Sequence, residues 1–148
     1  MPLTVQGVTA QILSCIDCYK NPVFPQEEND CKVALNRLIR AFGEANKQPA
    51  YISNEAITFQ GKVVKEHVVP VKVMMNHLLS MDIKPKEITS FELVKSYLEK
   101  HVVISRITSE EDARLRENKL HDSMPNDWNQ LDIWARYEKV GITLNNNL

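Results

Sequence analysis

Prolines set the strongest limit on what this chain can build. Pro22 and Pro25, Pro70, Pro85 and Pro125 interrupt stretches whose apolar residues are otherwise spaced for helix. Proline has no N–H to donate and its ring fixes φ, so it can open a helix but cannot continue one. The chain must therefore be a set of short helices joined by connections. In the first, Val5, Val8, Ile12, Cys15, Ile16 and Tyr19 recur at helical spacing and make one apolar stripe. Asn21-Pro22 and Pro25 close it. A second stripe, Cys31, Ala34, Leu35, Leu38, Ile39 and Phe42, opens with Glu27, Glu28 and Asp30 and carries Arg37 and Arg40 further along. That charge order suits a helix dipole, and the short connection predicts an antiparallel pair.

Residues 43–51 read as a loop. Ile57, Phe59, Val63, Val64, Val68 and Val69 are β-prone around Gln60-Gly61, which predicts a small hairpin within 57–69. Pro70 then suits the start of a helix carrying Val71, Met74, Met75, Leu78 and Leu79, apolar on most sides and so expected to be central. The runs Thr89-Ser90-Phe91-Glu92 and Thr108-Ser109-Glu110-Glu111 are capping-box patterns, the first flanked by Ile88 and Leu93 as a staple. Residues 102–107 suit a short buried strand. Ile133, Trp134, Tyr137 and Val140 form a last helix ended by Gly141. The expected fold is mainly α (α+β): a compact multi-helix single domain over 1–144, with a disordered tail at 145–148.

Length and composition exclude several functional classes. A chain of 148 residues fits one domain, and 43% hydrophobic with 25% charged residues is ordinary for a globular protein. A net charge of -1 gives no global field drawing it to nucleic acid or anionic lipid. No signal segment and no run long enough to cross a bilayer is read, so the expected location is cytoplasmic, with no membrane partner. Cys15, Cys18 and Cys31 are odd in number and do not form a disulfide framework. Cys15 and Cys18 have the spacing of a metal knuckle or redox pair. A zinc site would need Cys31 and a further ligand, and the alternative is Cys15 packing as a small hydrophobe. No glycine-rich phosphate loop and no serine elbow is present.

The most specific chemical string is Glu66-His67-Val68-Val69-Pro70. Over these five residues it resembles the first histidine segment of the HNH (His-Me finger) nucleases. The resemblance implies His67 as general base on a water attacking a phosphodiester, with Glu66 as metal ligand or orienter and a divalent metal as cofactor. The other reading of the same residues has His67 ending an edge strand and Glu66 in solvent. Basic and aromatic residues follow in Arg106, Arg114, Arg116, Trp128, Trp134, Arg136 and Tyr137, a set suited to protein hot spots or to phosphates and bases. The leading expectation is a small interaction or regulatory protein that binds a macromolecular partner, a protein first and nucleic acid second, without a cofactor. Its style is that of phage or mobile-element accessory proteins. The HNH-like nuclease is the alternative.

Overall fold

The computed structural model describes residues 2–145. In chain order the elements are α1 (Val5–Lys20), α2 (Glu27–Asn46), β1 (Tyr51–Ser53), α3 (Asn54–Thr58), β2 (Val63–His67), α4 (Val71–Ser80), α5 (Ile88–His101), β3 (Ile104–Thr108), α6 (Ser109–Glu117), α7 (Ala135–Val140) and β4 (Leu144–Asn145). This is a mainly α chain with a small sheet, as the pattern predicts. Its packing divides into two compact units: residues up to Gln48 with Met74–Val102, and Pro49–Val73 with Val103 onward.

The first unit is helical. Thr4 caps α1 by accepting a hydrogen bond from the Gly7 N–H at 3.0 Å, and Val8, Ile12, Leu13 and Ile16 form its buried stripe. Leu35, Ile39 and Phe42 of α2 are buried, as are Val94 and Leu98 of α5. Helix α2 runs to Asn46 and ends on Lys47 in the left-handed region (φ 53°), so residues 43–46 are helical where a loop is expected. Gly43 permits this, because a Cβ there would stand 3.1 Å from the Val102 side chain. The extension also leaves the last turn of α2 without the basic residues predicted to face its dipole. Helix α5 does not use the Thr89–Glu92 box: it starts at Ile88, with Ser90 Oγ accepting from the Lys84 N–H and donating to Glu87, both at 2.9 Å. Ile88 and Leu93 are exposed, so no staple forms between them. Tyr97 is sandwiched between His77 and His101, with ring centroids 4.3 and 4.1 Å away.

The second unit is built on a sheet of order β2-β3-β1-β4. β1 and β3 are parallel, and the β2–β3 and β1–β4 pairs are antiparallel. The hairpin expected within 57–69 is absent, because Ser53 caps α3 through the Ala56 N–H at 3.1 Å and draws residues 54–58 into helix. β2 pairs instead with β3, from Val63↔Thr108 to His67↔Ile104. Asn145, expected in a disordered tail, pairs with Ile52; residues 146–148 of that tail lie outside the described residues. The capping box at Thr108 forms as predicted, with both reciprocal bonds present. Its Glu111 is buried, and Oε1 also accepts from Ser53 Oγ at 2.5 Å, tying the starts of α3 and α6 to one carboxylate.

Two outcomes are expected from these contacts. Glu111→Ala removes a cap and leaves the Ser53 O–H without an acceptor, a loss of about 2–4 kcal/mol, while Glu111→Gln keeps an acceptor and loses less; denaturant unfolding measures both. Burial, with repulsion from His101 second, holds the His77 imidazole below its ordinary value. The unfolded chain therefore takes up that proton first, and stability falls as pH drops from about 6.5 towards the folded value. The melting temperature is expected to decline across that window, and to decline less in His77→Phe, which keeps the stack.

Candidate functional site

In β2, side chains alternate between the two faces of the sheet, as in any strand. Glu66 and His67 therefore point in opposite directions, and the structure does not bring the two residues of the nuclease-like string together. Glu66 shares its face with Ser105, its partner across the ladder. That face meets α7 and a buried cluster that includes Ile107, Leu115 and Tyr137. His67 pairs with Ile104 on the other face and is half-buried.

Glu66 is held from above by α7. Arg136 is 0% exposed and spreads its guanidinium over one carboxylate and three carbonyls. Nη2 donates to both oxygens of Glu66 at 2.6 and 2.8 Å and to the His67 carbonyl. Nε donates to the Val68 carbonyl at 3.0 Å, and Nη1 to that of Leu120 at 2.7 Å. Only the planar five-donor fork of arginine can serve so many acceptors at once. The Tyr137 hydroxyl donates to Glu66 Oε1 at 2.5 Å and lies 2.5 Å from Ser105 Oγ. Burial pushes the Glu66 carboxyl up, against the opposing pull of Arg136 and Tyr137. Burial, reinforced by the Glu66 charge, likewise pushes the Tyr137 hydroxyl up. Chemically this is a closed network. Both Glu66 oxygens are occupied, and Arg136 and Tyr137, expected on a binding surface, are spent inside the fold. Among the described residues no cluster of three or more His, Cys, Asp or Glu side chains is arranged to hold a metal ion.

The other basic residues divide into two kinds. Arg114 contacts Glu55 at 3.1 Å and Glu111 at 3.7 Å, and Arg116 contacts Asp112 at 3.2 Å one helical turn away, so both face acidic neighbours on α6. Arg106 lies exposed in the central strand, directly opposite Lys65, a like-charge pair that does not help the sheet.

The two tryptophans are different again. Trp134 sits at the start of α7, edge-on to Tyr51 with ring centroids 5.0 Å apart, and lines a cavity of about 450 Å³ with Tyr51, Glu138 and Leu144. Trp128 lines a second cavity of about 310 Å³ that shares Glu138 with the first. The segment carrying them is irregular but pinned. Asn129 Oδ1 accepts from the Leu131 and Asp132 N–H groups at 2.8 and 3.0 Å, and Asp132 Oδ1 from the Trp134 N–H at 3.0 Å. The Trp128 indole N–H donates to the Asp132 carbonyl at 2.8 Å. Leu131 of this loop is 66% exposed. Sequence reading overlooked Leu131, Tyr51 and Glu138; the density of Asn and Asp at 126–132 was the available signal for a built turn.

The network predicts a double-mutant cycle. Arg136→Met leaves a buried carboxylate without its counter-ion and is expected to lose about 3–5 kcal/mol in urea unfolding. Adding Glu66→Leu restores part of that loss, and recovery stays incomplete because the Val68, Leu120 and His67 carbonyls still lack their donor.

Comparison of the chain with protein-family models, with curated proteins and with solved structures gave no match to any of them.

Proposed function

We propose that the protein acts by binding another protein through the face formed by Trp128, Leu131 and Trp134. One observation carries this reading: two half-buried indoles border cavities that share Glu138, on a loop that is fixed by its own side-chain hydrogen bonds and also carries the exposed Leu131. Interface energy concentrates in large aromatic anchors beside pockets, and a fixed loop loses little freedom when a partner settles on it. Each tryptophan already has its apolar body seated, so a partner adds area without having to order the ring. The acidic rim of Asp127, Asp132 and Glu138, with Lys139 beside it, favours a partner segment that brings an apolar side chain flanked by basic groups. The accessory or regulatory role expected from the sequence fits a chain of this size whose proposed work is recognition.

The test uses the full chain as bait. Capture from lysate should return one dominant protein, and Leu131→Ser or Trp128→Ala should weaken its binding about tenfold or more while circular dichroism stays unchanged. Equal binding by wild type and both variants would remove the proposal. The nuclease alternative has its own readout in the same preparation: cleavage of plasmid or RNA with Mg²⁺, Mn²⁺ or Zn²⁺ by wild type but not by His67→Ala would replace the binding reading with an enzymatic one.

A further inference from the structure

All three cysteines of the chain fall at the same end of the α1–α2 pair. Cys15 and Cys18 are one helical turn apart on α1, and Cys31 lies in the first turns of α2. The register of the two helices follows from contacts along their length. Ala10 and Leu38 line one groove with Cys15 and Ala34, and Lys32 Nζ lies 5.5 Å over the Tyr19 ring. As one helix advances the other runs back, which sets position 18 beside position 31. Cys18 lies on the face of α1 that carries Gln11, Ser14 and Cys15, and Cys31 on the face of α2 that carries Ala34 and Leu38, the two faces that line that groove. Cys18 is exposed, while Cys15 and Cys31 are half-buried. The thiols are free, so exchange with disulfides is open to them.

We infer that Cys18 and Cys31 form a reversible modification site, which small-molecule disulfides of the glutathione type convert to an intramolecular disulfide. Cys18 is the point of entry because it is the accessible thiol. Its thiolate attacks one sulfur of the small disulfide, the S–S bond breaks, and one small thiolate leaves. Cys31 then loses its proton to solvent and attacks the Cys18 sulfur, expelling the second small thiolate. The protein dithiol is oxidised by two electrons and the small disulfide is reduced to two thiols. Burial, with the neighbouring thiols second, pushes the Cys31 thiol up, which disfavours it as the first to react; it becomes the attacking thiol once the adduct on Cys18 stands beside it. The bond closes a ring over residues 18–31, fixing the α1–α2 connection on which Val23 and Phe24 stand exposed.

The experiment exposes the dilute native chain to oxidised glutathione and maps disulfides after trypsin. Cys15 and Cys18 fall in the peptide ending at Lys20, and Cys31 in the peptide 21–32, so a Cys18–Cys31 bond joins two peptides and a Cys15–Cys18 bond lies within one. The joined pair is expected in wild type and in Cys15→Ser, absent in Cys18→Ser and in Cys31→Ser, and reversed by dithiothreitol. A stable glutathione adduct on Cys18 without the joined pair would overturn the inference. So would a link that survives Cys18→Ser or one confined to the first peptide.

Discussion

The sheet-bearing unit depends on one cation. Arg136 reaches β2 through Glu66, the strand's exit through the His67 and Val68 carbonyls, and the segment after α6 through Leu120. The run 66–68 and the segment at Leu120 share no ladder, and the guanidinium supplies hydrogen bonds that a buried backbone otherwise lacks. Burying the ion is itself unfavourable, and the arrangement is tolerable because nearly every donor is matched and Nη2 lies against both carboxylate oxygens. Lysine could not replace it: a point charge with three donors cannot span a carboxylate and carbonyls lying in different directions.

The same network supports the proposed binding face. Tyr137 follows Arg136 on α7, and its hydroxyl is tied to Glu66 and Ser105. Trp134, one turn earlier, lies 6.3 Å from the Tyr137 ring and edge-on to Tyr51. The aromatic ledge thus rests on residues that cannot move without breaking buried hydrogen bonds. A binding surface gains from such backing, since the freedom a partner would otherwise have to remove is already gone.

Features that depend on local spacing were legible in the sequence. The stripe of α1, the box at Thr108 and the glycine stop after α7 are each settled by neighbours three or four residues away, and the structure has them. Strand pairing was not legible. Val63 and Val64 look like half of a hairpin, yet their partners are Thr108 and Ile107, and nothing within ten residues encodes that choice. The box at Thr89 failed for a related reason: Ser90 found partners in Lys84 and Glu87, which the pattern does not weigh. Arg136 and Tyr137 have the composition of a hot spot, and only the tertiary fold reveals that their partner is Glu66. Composition near a site says what side chains can do; the strand opposite decides what they do.

The order in which the sheet's residues leave the ribosome follows from its topology. β1 and β2 are made early, then α4 and α5 intervene before β3 supplies the partner that both earlier strands need. Until then the edges of β1 and β2 stay unpaired, and unpaired edges are where chains associate wrongly. Arg136 emerges later still, so Glu66 remains a solvated carboxylate until then and is buried only when its counter-ion arrives. Assembly of this unit therefore waits on β3 and Arg136, with a charge that resists premature collapse of β2 into an apolar core.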